Sequence, residues 1–343
     1  MFKVFRDAAG PCLAPGGSVL AVGAFDGLHR GHVALLHRVR ERAQARGLIP
    51  AVVSFEPLPR AFFARAPLPR LSSLREKLRG FRDAGIELVL LLRFTTVLAA
   101  MGAEDFVREI LVKRMNAREV WVGADFRFGH RRAGDVALLQ ALGAQLGFEV
   151  HTLDAVEAEE GVRVSATRIR ELLAAGEFAQ AARLLGRPFS IGGRVVRGNR
   201  VGHQLGYPTA NIRLGRRVSP VQGIFAVRVR GVDAKPWPGV ASLGVRPMFD
   251  GREPLLETHL FDFAGDLYGR RIEVEFVAKL RDEEKFADLD ALKAQMDRDA
   301  EQARAIVDRH SGASRDPFAS VASGKDQDGF RIPFAMKPRT APE

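Results

Sequence analysis

The chain has 343 residues, about twice the length of a typical single domain, so we expect two domains. Hydrophobic residue types make up 46% and charged types 27%, values that exclude a chain disordered throughout or built as a fibrous repeat. Lysine and arginine total 52 against 41 aspartates and glutamates, and the resulting net charge of +11 raises the question of an anionic partner.

The excess positive charge is spread along the chain. The longest basic pairs, Arg131-Arg132 and Arg216-Arg217, stand in glycine-containing segments, and no block of like charge resembles a nucleic-acid-binding tail. An ordinary protein surface rich in arginine would give this pattern. The alternative is that some of these side chains line a pocket for small anions such as nucleotide phosphates. We therefore expect no nucleic-acid partner.

A single cysteine, Cys12, rules out an intramolecular disulfide bond and a cysteine-based zinc site. Prolines and glycines interrupt the N-terminal segment before the apolar region of a signal peptide. The most apolar run, residues 88–92, is far shorter than the roughly 20 residues of a membrane-spanning helix. These features predict a soluble cytoplasmic protein with no membrane partner.

Short apolar runs alternate with amphipathic stretches in the first half of the chain. In chain order, we predict strands at residues 19–24, 51–55, 87–92, 119–123 and 148–153, and helices at residues 31–46, 103–115 and 135–146. This alternation indicates a parallel sheet covered on both faces, with ligands beyond the carboxyl ends of its strands.

The pattern changes at Gly186-Arg187-Pro188, after a predicted helical pair at residues 167–175 and 178–185. Five β-rich runs follow, at residues 191–196, 224–230, 239–245, 255–261 and 272–277. They predict a small antiparallel barrel or sandwich, covered by a charged helix at about residues 283–309. The composition of residues 311–343 predicts a disordered tail.

Residues 23–32, Gly-Ala-Phe-Asp-Gly-Leu-His-Arg-Gly-His, join the first predicted strand to the first predicted helix. His29 and His32 bracket Gly31 where the N–H groups and the dipole of the helix favour an anion. Zinc is an alternative ligand, but no third ligand stands nearby and the histidine spacing differs from that of a helical zinc motif. We predict a phosphate site.

Two further segments carry hydroxyl and basic groups. At residues 162–170, Ser165 and Thr167 are ordinary helix N-cap candidates, and with Arg163 or Arg170 they also suit nucleotide phosphates. Residues 193–211 form either a plain hairpin and turn or a flexible flap over phosphates. The sequence contains neither a Walker phosphate loop nor a G-x-G-x-x-G fingerprint, so these segments would hold ATP by another route.

Together the motifs resemble the bacterial bifunctional riboflavin kinase/FAD synthetase family. The resemblance rests on residues 23–32, 54–57, 74–78, 122–129, 162–170, 208–211, 239–247, 255–262 and 280–286. It implies an α/β Rossmann-like nucleotidyltransferase domain with a parallel sheet at residues 1–186. A six-stranded antiparallel β-barrel riboflavin kinase domain is implied at residues 187–310.

The resemblance also implies two reactions. ATP phosphorylates riboflavin to FMN, and a second ATP adenylylates FMN to FAD with release of pyrophosphate. Riboflavin, FMN and ATP are the implied small-molecule partners, Mg²⁺ accompanies ATP, and no tightly bound prosthetic group is required. We expect a monomer or a weak oligomer.

Site residues are implied by matching positions. His29 and His32 are the implied catalytic contacts to ATP, within a nucleotide site made of Phe25, Gly31, Asp125, Arg163, Ser165, Thr167 and Arg170. Glu257 is the implied base for the ribityl 5′-hydroxyl, although an exposed partner of arginine or lysine is its ordinary alternative. The implied kinase contacts are Gly193, Gly198, Gly206, Thr209, Asn211 and Arg281, with Thr209 and Asn211 on Mg²⁺. For Arg281, a salt bridge at a helix start is the alternative.

Five positions depart from the family pattern: Ala24, Leu58, Ala166, Ser242 and Met248. The first three replace the asparagine, histidine and serine common in the family, so polar groups are lost near the nucleotide or flavin. We expect adenylylation to persist with altered efficiency. The alternatives are a riboflavin kinase with a weakened or lost adenylyltransferase site and a flavin- or nucleotide-binding regulator without turnover.

Overall fold

Strands and helices alternate in the first half of the chain, as the sequence predicts. The computed structural model describes residues 1–154, 163–198, 205–248 and 251–312. The first sheet contains β1 (Lys3–Phe5), β2 (Ser18–Val22), β3 (Ile49–Glu56), β4 (Leu88–Arg93), β5 (Ala117–Gly123) and β6 (Glu149–Leu153). Its helices are α1 (Arg30–Arg46), α2 (Pro59–Phe63), α3 (Leu74–Asp83), α4 (Thr96–Ala100), α5 (Ala103–Asp105) and α6 (Val136–Leu146).

All pairings in this sheet are parallel within the described ranges, in the order β1-β4-β3-β2-β5-β6. Alternate residues of β2 enter different cores. Val19 and Ala21 pack with α1 and α3, whereas Leu20 and Val22 pack with the helical segment after β4 and with α6. Both faces are therefore covered, as the apolar strands require.

The predicted helix at residues 103–115 has a different geometry. After α5, residues Phe106–Arg114 form a π-helix, in which the Met115 N–H donates to the carbonyl of Ile110 five residues back. Sequence periodicity also gave no sign of β1, whose three residues are all exposed, or of the short helices α2 and α4. These elements depend on tertiary contacts that a local pattern does not contain.

The second sheet is antiparallel throughout its described part. Its strands are β7 (Ser190–Arg194), β8 (Ala210–Arg213), β9 (Gly223–Arg230), β10 (Trp237–Met248), β11 (Gly251–Leu260) and β12 (Arg271–Arg281). They follow the order β7-β12-β9-β10-β11-β8. A bridge between Val196 and Asn211 links the two ends and nearly closes a six-stranded barrel. The predicted barrel is confirmed, with β8 as a strand that the sequence reading missed.

Helices cover the barrel on two sides. α7 (Ala166–Ala174) and α8 (Phe178–Leu185) share one apolar core with it, and the Phe178 ring stacks 6.0 Å from that of Phe276. α9 (Leu289–Gly312) packs on another face. It begins six residues later than predicted, because the Asp288 carboxylate caps its first turn by accepting from Ala291 N–H. The remainder of the predicted tail, residues 313–343, lies outside the described residues.

None of the helices in the described ranges combines the length and apolar character that a membrane crossing requires.

Candidate active sites

The HxGH loop, residues 23–32, lies at the carboxyl end of β2, where a parallel sheet presents its ligand site. Its backbone is tightly turned, with positive φ angles at Phe25, Gly27 and Leu28. A side chain at Gly27 would collide with Leu71, so glycine is required there for both its φ of 82° and its close packing. This turn delivers His29 to the start of α1.

The two histidines form a stacked pair. Their ring centroids lie 3.6 Å apart, and the Phe25 ring packs 5.1 Å from that of His32. His29 is the N-cap of α1, and its Nδ1 accepts from the His32 backbone N–H at 3.4 Å. In a neutral imidazole that acceptor role places the proton on Nε2, which then serves as a donor for an anion at the helix start.

Burial keeps both imidazoles neutral near pH 7. It lowers the pKa of His29 to about 4, with the nearby Asp26 carboxylate opposing the shift and the Arg187 guanidinium adding to it. Burial likewise holds the pKa of His32 well below its ordinary value, and His29 and Lys77 add to this effect. The histidines therefore act as hydrogen-bond donors rather than as cations.

Acid is expected to destabilise the first domain through His29. Between pH 6.5, the ordinary pKa of histidine, and about pH 4, His29 is protonated in the unfolded chain but not in the folded chain. The free energy of unfolding therefore falls as the pH drops through this window. The contribution is about 3 kcal/mol. Urea unfolding at pH 7 and pH 4 measures it, with His29→Asn, which keeps a capping side chain, as the comparison. Equal pH dependence in both proteins would contradict the assignment.

The buried Asp26 carboxylate joins the HxGH loop to other segments of the chain, and sequence reasoning did not select this residue. Its carboxylate accepts from Arg170 Nη2 at 2.6 Å and from the backbone N–H groups of Leu71 and Ser72 at 3.2 Å each. Arg170 Nε also donates to the Pro69 carbonyl at 2.7 Å. Arg170, which the resemblance places on the triphosphate, therefore has protein partners in this structure, and its contact with ATP stays a prediction.

The remaining predicted nucleotide contacts lie along the same edge. Arg163 pairs with Asp125 at 2.5 Å, and both side chains are more than half exposed. Ser165 is the N-cap of α7, accepting from Arg168 N–H, while the Thr167 hydroxyl accepts from Arg60 at 2.9 Å. The Ser165 capping role matches its ordinary interpretation and leaves its ATP contact a prediction.

Two open cavities flank these groups. A cavity of about 420 Å³ lies over Asp125 and the neighbouring residues 124–137. A second, of about 370 Å³, contains Thr167 and Arg170 together with Arg60 and, from the barrel, Ser219 and Pro220. The second cavity therefore brings together residues that the sequence places far apart.

Lys77 is a second functional candidate that sequence reasoning did not assign, although its motif was recognised. The side chain is fully buried, and its Nζ donates to the carbonyls of Ala24 at 2.8 Å and Phe55 at 3.4 Å. Burial lowers the pKa of Lys77 to about 8, opposed by Glu56, whose carboxylate lies 3.9 Å away. Lys77 therefore fixes the backbone at Ala24, a position where the family pattern has asparagine.

Three aromatic rings gather beside this edge of the sheet. Phe62 lies 5.2 Å from Phe63 and 5.3 Å from Phe94 between ring centroids, and Phe63 is 67% exposed. Leu58, where the family pattern has histidine, is the buried residue that precedes α2. The three rings pack edge to face, and the exposed Phe63 ring offers an apolar surface that another aromatic ring system can contact.

On the barrel, four predicted positions fall in one cross-strand row. Asn211 of β8 pairs with Glu257 of β11, which pairs with Ser242 of β10, and the row continues through Ile224 to Arg281 of β12. Directly opposed residues share a face with Cβ atoms about 5 Å apart. Leu256 and Ile212, the chain neighbours of Glu257 and Asn211, point into the core, so this row lies on the outer face.

Thr209 and Asn211 provide a set of oxygen atoms at one end of the row. Asn211 is buried, and its Nδ2 donates to the Thr209 carbonyl at 3.0 Å and lies 3.4 Å from the Thr209 hydroxyl. The Asn211 Oδ1 atom is buried without a hydrogen-bond partner in the described part of the chain. A Cβ at Gly198 would lie 2.7 Å from Asn211 Nδ2, so glycine leaves room for this side chain.

The other predicted kinase contacts have local structural roles. Gly193 lets β7 approach Ile212 closely, and Gly206 has a φ of 87° in a turn before Tyr207. Arg281 Nη2 pairs with Asp299 of α9 at 2.7 Å, consistent with its salt-bridge alternative, although the partner lies within α9 and not at its start. Their contacts with ATP or flavin stay predictions.

A carboxylate missed by sequence reasoning lies beside the row. Glu283 Oε1 accepts from the Ser242 hydroxyl at 3.3 Å, and it occupies the space next to Gly244. Ser242 is the direct neighbour of Glu257 in the row. Two carboxylates, those of Glu257 and Glu283, therefore neighbour Ser242 on the barrel.

Two family models match this chain. The model described as FAD synthetase covers residues 13–168, and the model described as riboflavin kinase covers residues 185–307. The chain is 48% identical over 289 residues to the bifunctional riboflavin kinase/FMN adenylyltransferase of Escherichia coli K12, covering 84% of this chain and 92% of that protein. This chain belongs to the bifunctional riboflavin kinase/FMN adenylyltransferase family. The resemblance drawn from its motifs is confirmed.

Other relatives agree with the family. The Pseudomonas fluorescens enzyme of the same description is 46% identical over 292 residues, with 85% of this chain and 93% of the relative covered. A solved structure from Streptococcus pneumoniae superposes with a TM-score of 0.72 at 30% identity, covering 88% of this chain and 98% of that one. That structure is described as a macrolide-efflux protein, a description that concerns the pneumococcal protein.

Proposed function

We propose that this chain phosphorylates riboflavin to FMN with ATP at the barrel and adenylylates FMN to FAD with a second ATP at the parallel sheet. The observation that carries the proposal is the pairing of two separate sites in one chain. One contains the stacked His29 and His32 at a helix start, and the other contains Glu257 in a row with Asn211.

In adenylyl transfer, the phosphate of FMN attacks the α-phosphorus of ATP, an FMN–AMP phosphoanhydride bond forms, and pyrophosphate leaves. His29 Nε2 and the backbone N–H groups at the start of α1 donate to phosphate oxygens as charge develops on them. The aromatic cluster of Phe62, Phe63 and Phe94 stacks the flavin. Catalysis rests on positioning and charge neutralisation.

The three departures from the family pattern in the first half of the chain, Ala24, Leu58 and Ala166, leave these groups in place. The backbone at Ala24 is anchored by Lys77, and Leu58 packs as a buried apolar residue. Ala166 is the first residue of α7, whose cap is supplied by Ser165. The hydrogen-bond donors to the phosphates are His29 Nε2 and the backbone N–H groups of α1, and none of them belongs to the three changed positions. We therefore expect adenylylation to persist with altered efficiency.

In riboflavin phosphorylation, the ribityl 5′-oxygen attacks the γ-phosphorus of ATP and ADP leaves. Glu257 accepts the proton from that hydroxyl, which is a poor nucleophile while it keeps its proton. Thr209 and Asn211, which lie next to each other beside Gly198, would hold the ATP phosphates and their cation.

The oxygen atoms of Thr209 and Asn211 fit Mg²⁺. Asn211 uses its amide nitrogen toward Thr209 and keeps its buried Oδ1 available as an acceptor, and Mg²⁺ prefers oxygen ligands of this kind. When bound, the ion offsets negative charge on the phosphates of ATP. Thr209 and Asn211 would suffice as protein ligands, because Mg²⁺ is usually bound by few protein groups.

We further propose that the protein works in the cytoplasm as a monomer or weak oligomer on riboflavin, FMN and ATP. The exposed, unpaired Cys12 suits a reducing compartment. Basic side chains at the two sites would bind the phosphates of ATP and FMN. The net positive charge therefore requires no nucleic-acid or membrane partner.

The adenylyltransferase half is tested with FMN and MgATP as the only substrates. FAD and pyrophosphate are expected to form in equal amounts, since one phosphoanhydride bond forms for each pyrophosphate released. FAD and FMN are separated by chromatography, and pyrophosphate is measured by a coupled phosphate assay. Absence of FAD in a preparation that phosphorylates riboflavin would reduce the function to the kinase alone.

A further inference from the structure

Arg187 reaches the HxGH loop from the junction between the two halves of the chain. It lies between the end of α8 at Leu185 and the start of β7 at Ser190. Its Nη2 donates to the Gly27 carbonyl at 2.9 Å, although the two residues are 160 positions apart in sequence. Gly27 precedes His29 by two residues.

The Gly27 residue is held at both of its backbone polar groups. Its N–H donates to the Ser72 hydroxyl at 3.1 Å, and its carbonyl accepts from Arg187. Ser72 belongs to the segment before α3, so side chains from two distant segments hold one glycine. Because Gly27 has the greatest backbone freedom in the turn, these two contacts restrict the direction in which the chain enters α1.

The charge of Arg187 also acts on this loop. Its guanidinium is buried, which lowers its pKa, and Glu76 and Glu273 supply the nearby negative charge. Arg187 in turn lowers the pKa of His29 and so favours the neutral imidazole. Its Nη1 atom is buried without a hydrogen-bond partner among the described residues.

The same network continues into the barrel. Glu76 Oε1 accepts from the Gly192 N–H of β7 at 2.9 Å, and Glu76 Oε2 pairs with Arg217 at 3.3 Å. Glu76 also closes the capping box of α3 with Ser73. The junction that holds the HxGH loop is therefore built on both the parallel-sheet half and the barrel.

We propose that Arg187 is a positioning residue of the adenylyltransferase site: by holding the Gly27 carbonyl it orients His29 toward the phosphates of ATP. The site is then completed by the junction with the barrel rather than by residues of the parallel sheet alone. The inference rests on the proposed function, and it assigns no role to Arg187 in riboflavin phosphorylation.

The test uses the full-length chain with Arg187→Met, which keeps the apolar stem and removes the donor and the charge. Arg187→Met is expected to lower the kcat of FMN adenylylation at least tenfold, since a displacement of about 1 Å at a reacting group costs up to 10²-fold. Riboflavin phosphorylation should remain within twofold of wild type. Arg187→Lys, which restores a charged donor, should recover part of the lost adenylylation.

Arg79→Met is the matched control. It removes another arginine that spans the two halves, since Arg79 lies 3.7 Å from Glu273, and Glu273 belongs to β12 rather than to the HxGH loop. Both activities should stay within twofold of wild type in this variant. The imidazole signals of His29, followed by NMR, should titrate at higher pH in Arg187→Met and at the wild-type pH in Arg79→Met.

Equal adenylylation in Arg187→Met and Arg79→Met would overturn the proposal, as would a parallel fall of both activities in Arg187→Met. If Arg187→Met does not fold, Arg187→Lys carries the test, and a selective loss of adenylylation remains the expected result. Wild-type protein that makes no FAD would contradict the proposed function instead. The His29 titration would still report whether Arg187 acts on the loop.

Discussion

Replacing Glu257 with glutamine is expected to lower the turnover of riboflavin phosphorylation by roughly 10²- to 10⁴-fold, the usual contribution of a general base. Glutamine keeps the size of the side chain and its place in the row with Asn211 and Ser242, but it does not accept the ribityl proton. FMN formation from riboflavin and MgATP is the measurement. The KM for riboflavin should change much less than kcat.

Adenylylation provides the internal control for this variant. Glu257→Gln should convert FMN to FAD at the wild-type rate, because Glu257 lies on the barrel and the histidine pair lies on the parallel sheet. Glu253→Gln, four residues earlier on the same strand, is the matched variant and should leave both activities unchanged. Unchanged riboflavin phosphorylation in Glu257→Gln would refute the assignment of the base.

Removing the imidazole of His29 or His32 is expected to lower FMN adenylylation by about 10²-fold or more, the cost of deleting one preorganised donor to a developing charge. Asparagine is the substitution of choice at residue 29, because it retains the capping acceptor for the His32 N–H and so preserves the start of α1. The rate of FAD formation from FMN and MgATP measures the effect.

The kinase should be untouched by either histidine substitution. His151→Asn serves as the matched control, since His151 lies in β6 and stacks on Trp121 rather than on the HxGH loop. Adenylylation at the wild-type rate in His29→Asn and His32→Asn would show that the stacked pair has no part in the reaction. Loss of both activities together would indicate a folding defect and remove support for a catalytic role.

Much of the architecture can be predicted from the sequence, because buried strands appear as short runs of apolar residues. The apolar runs of β2 to β5 are buried on both faces, and their alternation with helices is sufficient to predict a parallel sheet. The later start of α9 was not predicted, because an acidic run at residues 282–284 looks helical until the cap at Asp288 is recognised.

The candidate sites divide in the same way. His29, His32, Glu257 and Asn211 stand in compact motifs, so their chemistry is visible in a few consecutive residues. Buried charges such as Lys77 and Arg187 are visible only once the fold supplies their acceptors. The motif at residues 74–78 was the available signal for Lys77, and the Gly186-Arg187-Pro188 boundary was the available signal for Arg187.

Arg170 and Arg281 are predicted ligand contacts that have protein partners in the structure. Both stand in matched family segments and carry the charge that a phosphate or flavin site needs, yet each is engaged by a buried carboxylate, Asp26 and Asp299 respectively. Sequence spacing identifies a basic residue near a site. It does not show whether the guanidinium is used by the ligand or by the fold.

The most direct test of the whole account is a time course with purified full-length protein, riboflavin and excess MgATP as the only reactants. FMN is expected to form first, and FAD should then accumulate as FMN is consumed, because two separate sites act in succession. FMN alone would contradict the adenylyltransferase half. Riboflavin that remains unchanged would contradict the enzyme assignment altogether.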